Sequence, residues 1–284
     1  MILHYNAYEM TCECIDCLLA IMSQKSEIVI VDNYSNNDSG LRIDNKYGTR
    51  DNIYVIHTDK NLGFAGGNNV GYFYAKNELG ADIIVDMNND VLIYQKDFEA
   101  RIVNLCSESS KKFDVLSPNI INKKGFCQNP YRIKREKTSH LIKSMLLHAL
   151  YYTCLRTGLF REKMYERYHK DDATSRARKE PGKDIYNIVP HGSCIIFMKS
   201  YIVHSDFAFV PKTFFYAEED FLYDFLILNN MKTFYTNRLE VWHMEKVSTN
   251  TVAEEKWKRE RFQVVNKVSS RFALLRYRIG NHLL

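Results

Sequence analysis

The sequence predicts an α/β domain with a mostly parallel central sheet flanked by helices, and three observations carry that prediction. Residues 27–33 (EIVIVDN), 52–57 (NIYVIH) and 81–90 (ADIIVDMNND) are short apolar runs rich in β-branched residues, each ending in polar or turn-forming residues, the form of buried strands. Helical periodicity over 12–22 and 68–79 precedes the first and third of these runs. Strands and helices that alternate across short connections pack as parallel sheets with crossover helices.

Taken in order, the opening MILHYN reads as a strand that delivers Tyr5 and Asn6 to its carboxyl end. The helix at 12–22 carries Cys12, Cys14 and Cys17. A zinc site would need a second ligand pair at fitting spacing, which is absent nearby, so these are expected to be reduced thiols. After the second strand comes NLGFAGGNNVG, residues 61–71. Its glycines at 63, 66, 67 and 71 fit neither G-x-G-x-x-G nor the lysine-bearing phosphate loop. What remains is a backbone able to take positive φ and approach another surface, with asparagines capping the helix expected from residue 68. A strand is predicted at 115–121, a basic region follows to about residue 183, and GSCIIFMKS (192–200) restores a strand. Residues 212–230 begin as a loop and become a helix, and KTFYTN reads as another strand. Ligands bind beyond the carboxyl ends of such strands. Asp32, Asn33, residues 61–67 and residues 88–90 therefore gather at one rim.

A chain of 284 residues, 45% hydrophobic, can bury a sizeable core. The longest apolar runs fall short of a spanning helix, and the amino terminus lacks the order of a signal peptide, so a cytoplasmic protein is expected. The net charge of +5 is concentrated: residues 131–180 hold 13 Lys or Arg against 6 Asp or Glu, and 256–278 hold 8 against 1. Both stretches also carry apolar residues, which suits peripheral contact with an anionic membrane on the inner face. No stacking motif accompanies them, so nucleic acid is not an expected partner.

In their order, the motifs ILHYN, IVIVDNYSNNDS, NLGFAGGNN, IIVDMNNDV, HGSCIIF, FFYAEEDF and VWH resemble the family-two-like glycosyltransferases, in particular their rhamnosyltransferase-like branch. The resemblance covers roughly residues 1–120 and 187–248. It implies the GT-A (nucleotide-diphospho-sugar transferase) fold as a catalytic domain over 1–248. Outside the resemblance lie a basic helical insertion at about 122–186 and a basic amphipathic helical segment at 249–284.

Transfer from a sugar nucleotide requires a hold on base and ribose, neutralisation of the departing diphosphate, and a base for the acceptor hydroxyl. Asp32, just past a strand, is placed to accept hydrogen bonds from a nucleobase or ribose, and the matching aspartate of the family does so. The resemblance puts Tyr5 in the base pocket and Asn61 and Gly63 beside the nucleotide. NND (88–90) matches the family's D-x-D, with Asn88 in the first place. Asp90 would bind a magnesium or manganese ion directly and Asn88 would assist through its amide or a water. Strand alternation points Asp86 elsewhere. EED (218–220) matches the acidic loop that ends in the catalytic base, which gives Glu219 that role, Asp220 as its rival and Glu218 a place beside the donor. Crowded carboxylates raise one another's pKa, which suits proton abstraction near neutral pH. His243 matches a histidine near metal or phosphate, and HGSC (191–194) matches the acceptor side.

The Q-x-x-R-W sequence of processive synthases is missing around Trp242 and Trp257, so transfer of a single sugar is expected, inverting because one base and no second nucleophile are apparent. The donor is expected to be UDP- or dTDP-linked and the acceptor a glycan or lipid-linked glycan in surface polysaccharide synthesis. The competing expectation is a non-catalytic sugar-nucleotide or glycan-binding protein whose Asn88 marks a degenerate metal site.

Overall fold

The computed structural model describes residues 1–108, 112–175, 181–245 and 253–283. Its first half alternates strand and helix: β1 (Ile2–His4), α1 (Tyr8–Leu19), β2 (Ile28–Asp32), α2 (Ser39–Tyr47), β3 (Ile53–His57), α3 (Gly63–Asn77) and β4 (Ile83–Asn88). β3, β2, β1 and β4 lie side by side in parallel. Every residue of β2 is buried because both faces of the sheet are covered. Successive side chains point to opposite faces, so Ile28 and Ile30 join Ile15 of α1 and Ile43 of α2, whereas Val29 and Val31 join Ala65 and Tyr72 of α3.

Then come β5 (Val91–Leu92), α4 (Phe98–Ser107), β6 (Val115–Asn122), α5 (Thr138–Thr157), α6 (Arg161–Ser175), β7 (Ile185–Tyr186), β8 (Cys194–Met198), α7 (Lys199–His204), α8 (Glu218–Leu228), β9 (Thr233–His243) and α9 (Ala253–Gly280). β8 enters antiparallel between β4 and β6, and β9 runs parallel to β6, so the sheet is mixed beyond β4. The register slips at Pro118/Asn119: Thr236 faces Pro118, but Glu240 faces Asn119. The extra residues on β9 bulge and bend the strand, and its end pairs with β5, Trp242 facing Leu92 and His243 facing Val91. That slip carries His243 to the turn that holds Asp90.

One sequence expectation is corrected at α3, which begins at Gly63 rather than at residue 68. The glycines that read as a loop are the first turns of a helix pressed onto the sheet. A Cβ on Gly67 would lie 2.5 Å from Leu3 Cδ1, and one on Gly71 2.9 Å from Val31 Cγ2. Close approach thus overrides low helix propensity. Of the asparagines, Asn61 does meet the helix start, accepting from Gly63 N at 2.9 Å, whereas Asn69, inside the helix, accepts from the N–H groups of Ala208 and Phe209, both at 2.9 Å.

α5 and α9 pack together beside the sheet, burying Tyr151, Leu155 and Val264 in one cluster and Leu141, Leu274 and Phe221 of α8 in another. The boundary expected at 248/249 lies outside the described residues; α9 itself packs on α5 and α8. No disulfide forms among the described residues.

Candidate active site

The carboxyl ends of β1, β2 and β4 and the start of α3 surround a cleft of about 620 Å³ lined by Tyr5, Asn33, Asn61, Gly63, Asn88, Asp90 and Phe215, among others. The turn into α3 is held by side-chain amides. Asn33 Oδ1 accepts from Leu62 N at 2.9 Å, Asn33 Nδ2 donates to Gly63 O at 3.0 Å, and Asn61 Oδ1 accepts from Gly63 N at 2.9 Å. Gly63 has φ +73°, and a Cβ there would stand 2.2 Å from the Phe214 carbonyl oxygen, which already accepts from Phe64 N at 2.8 Å. Only glycine fits that approach. The loop before α8 is thereby fastened over the cleft.

Asp32 is placed differently from expectation. Its carboxylate is turned into the protein, with Oδ1 accepting from Ser35 N and Ser35 Oγ and Oδ2 lying 3.1 Å from His57 Nδ1. A Cβ on Gly40 would sit 2.0 Å from Oδ2. Asp32 organises the turn after β2, and it is not among the residues that line the cleft.

Next to Asn88 and Asp90, outside the cleft lining, a second group of residues is assembled from β8, β9 and α8. Asn88 N donates to Ser193 O at 2.9 Å, Gly192 N donates to Glu219 Oε1 at 3.3 Å, and a Cβ on Gly192 would lie 2.8 Å from that oxygen. The His191–Gly192–Ser193 turn therefore joins the NND turn to the acidic start of α8. His191 rings 5.8 Å away with both His243 and Tyr131, and its Nδ1 is 2.9 Å from Ser193 Oγ.

His243 Nε2 is 3.2 Å from Asp90 Oδ1, and its Nδ1 is 2.7 Å from Gln128 Oε1. Gln128 Nε2 donates to Glu245 Oε1 at 2.7 Å, so the Gln128 oxygen faces the ring and Nδ1 carries the proton. In the neutral ring Nε2 then offers a lone pair toward a carboxylate oxygen. A cation or a second ring proton reconciles that pair. Among the described residues no group of three or more His, Cys, Asp or Glu gathers for a metal ion.

The three acids of α8 occupy its first turn, where the helix dipole favours negative charge. Tyr216 and Ala217, just before them, hold left-handed φ values of 74° and 67°, a sparsely populated conformation for such residues. Glu218 is buried, accepts from Thr213 Oγ1 at 3.3 Å, and is pushed up to about 8 by burial and then by the neighbouring Glu219 charge. Burial likewise raises Glu219. Asp220 is raised by burial and pulled back by Arg132, with which it pairs closely; Arg278 stands 4.0 Å away.

The sequence reading missed Gln128, Tyr131 and Arg132, which belong to the stretch assigned to the insertion. Burial, then the charge of Glu219, pushes the Tyr131 phenol up to about 12. Their types and spacing carry no local signal. The one available clue was that FCQNPYR follows β6 directly and so continues across the rim.

A cleft at the ends of a parallel half-sheet, with an acidic helix start joined to its rim through Ser193 and Gly192, is the arrangement expected of a sugar-nucleotide transferase. Residues 1–169, more than half of the chain, match the family model Glycosyl transferase family 2, and the chain belongs to that family. It is 27% identical over 213 residues to the low-salt glycan biosynthesis hexosyltransferase Agl10 of Haloferax volcanii, an alignment covering 72% of this chain and 55% of Agl10. The chain thus spans about half the length of that curated relative. Among solved structures, S. aureus TarS 1–349 in complex with UDP-GlcNAc superposes with a TM-score of 0.54 at 16% identity, over 99% of this chain and 71% of that one. GalNAc-T7 with UDP, GalNAc and Mn2+ gives 0.55 at 10% identity, over 91% of this chain and 46% of that one. At such identities these likenesses establish the GT-A fold.

Proposed function

We propose that this protein transfers a single sugar from a nucleoside diphosphate donor to a glycan or lipid-linked glycan, with inversion. The observation that carries the reading is the bonded path from Asn88 through Ser193 and Gly192 to Glu219, which ties the rim of the cleft to a raised carboxylate. Tyr5 and Asn61 flank the base and ribose, and Phe215 closes the cleft from the other side. Glu219 takes the acceptor proton. Its rival Asp220 is committed to Arg132 and is the poorer base. Asp32 serves the donor indirectly, by shaping the turn after β2. The bound UDP-GlcNAc of TarS supports a uridine carrier for this chain, with a thymidine carrier as the competing choice.

The pair Asp90 and His243 suits a divalent ion, because His243 Nε2 and Asp90 Oδ1 face one another at 3.2 Å while the far side of the ring is fixed by Gln128. Asp90 and His243 would hold magnesium or manganese with Asn88 assisting, and the ion would offset charge on the diphosphate. The GalNAc-T7 complex with Mn2+ supports the same assignment. Work at the inner face of a membrane, on lipid-linked acceptors, fits the basic amphipathic segments, and the segment 249–284, of which Ala253–Gly280 forms α9, acts with the 1–248 catalytic domain.

Calorimetric titration of UDP, dTDP and GDP, with and without manganese, into wild type and Asp90→Ala tests this. Metal-dependent binding of one nucleotide, lost in the variant, is expected; binding of none would refute it. The asparagine at 88 favours one second reading, a non-catalytic sugar-nucleotide-binding protein. That reading predicts nucleotide binding without metal-dependent donor hydrolysis.

A further inference from the structure

α5 buries Leu141, His148, Tyr151 and Leu155 toward α9 and the core. Its opposite side is apolar and open. Ile142, Leu146 and Leu150 follow at four-residue steps, one stripe of a helix, with Leu146 61% and Leu150 55% exposed. The helix stops at Gly158, and the next two residues form a bare apolar tip, Leu159 at 64% and Phe160 at 74% exposed. The charged residues of α5 itself are all basic, while Glu162, just beyond the tip, pairs with Arg161 at 3.8 Å. Residues 137–161 contain Lys137, Lys143, Arg156 and Arg161 and not one Asp or Glu, and the first three of these bases are exposed.

A helix that is apolar along one outward stripe and exclusively basic at its borders matches a surface that is apolar beneath and anionic at its boundary. An isologous pairing with a second copy fits poorly. It would press Lys143 and Arg156 against their own kind with no acid to neutralise them. No helix among the described residues is long and apolar enough to cross a membrane. We propose that the outer face of α5, with the Leu159–Phe160 tip, is the surface on which this protein lies on an anionic phospholipid bilayer. This rests on the membrane-face reading above and names the element responsible.

Co-sedimentation with vesicles of phosphatidylcholine alone and of phosphatidylcholine with 30% phosphatidylglycerol tests it, at low and high salt. Wild type is expected to sediment with the anionic vesicles at low salt, and Leu146→Ser/Leu150→Ser to bind them at least about tenfold more weakly. The variant's UDP titration is expected to match wild type, since both substitutions lie on an exposed face. Wild type left in the supernatant with both vesicles, or a variant that sediments as wild type does, would overturn the proposal. So would a wild-type dimer in light scattering that the double substitution dissociates, which would give the face to a second copy. Wild type that binds none of UDP, dTDP and GDP would sink the transferase reading and leave the vesicle result standing.

Discussion

Replacing Arg278 by Met tests whether the helix layer outside the matched family region controls the acidic start of α8. Arg278 is fully buried in α9. Its Nε donates to Asp224 Oδ2 at 2.6 Å, its Nη2 lies 3.5 Å from Asp224 Oδ1, and its Nη1 donates to the Glu136 carbonyl at 2.9 Å. Asp224, also fully buried, sits one helical turn beyond Asp220, so the pair fixes the rotation of α8. Removing one partner of a buried pair costs about 3–5 kcal/mol. Arg135, whose Nε remains 2.7 Å from Asp224 Oδ1, though without hydrogen-bond alignment, offsets part of that loss. The orphaned Glu136 carbonyl adds about 1 kcal/mol. Arg278→Met is therefore expected to lose about 3–4 kcal/mol in urea unfolding. Arg278→Met with Asp224→Leu is expected to recover most of it, because Arg135 is partly exposed and can turn to water. At the site, donor hydrolysis should fall while UDP affinity holds. A single variant within about 1 kcal/mol of wild type, or a double variant that simply adds the two losses, would refute the reasoning.

Gly63→Ala places a Cβ against the Phe214 carbonyl at positive φ. A loss of about 2–3 kcal/mol in unfolding is expected from the left-handed backbone and the displaced Phe64–Phe214 bond, together with weaker UDP binding; wild-type values for both would mean that the 213–217 loop is not fastened there. Burial and the Glu219 charge push Glu218 up to about 8 in the folded protein, whereas in the unfolded chain it titrates near 4.5. Between those values the native state holds more protons, so stability falls as pH rises through that window. Glu218→Gln is expected to flatten the fall in urea midpoints from pH 5 to pH 8; an unchanged slope would remove Glu218 from the account.

The first half of the fold was legible because each strand there announces itself: a β-branched run, then a polar turn, repeated around β2, β3 and β4. The rim positions of Asn61, Gly63, Asn88 and Asp90 follow from that pattern alone. α3 was misjudged at its start, since glycine is scored as a breaker until the neighbours that demand it, Leu3 and Val31, are placed. Asp32 and Gln128 show the deeper limit. A carboxylate one residue past a strand can face a ligand or its own turn, and the choice here depends on His57 and Ser35. Gln128 reaches His243 across 115 residues of chain, which no local spacing encodes.

The acids of α8 gain a division of labour from that long-range structure. Asp220 and Asp224 meet guanidinium groups from residues 132 and 135 and from α9, whereas Glu219 meets the backbone N–H of Gly192. Neighbouring carboxylates in such different surroundings separate in acidity, and on the proposed mechanism the one bonded to a backbone N–H rather than to a guanidinium accepts the proton. By that argument the basic residues around α8 act electrostatically on the site as much as they staple the helices. They tie Asp220 and Asp224 into structural pairs, which on the proposed transferase reading leaves Glu219 to take the acceptor proton.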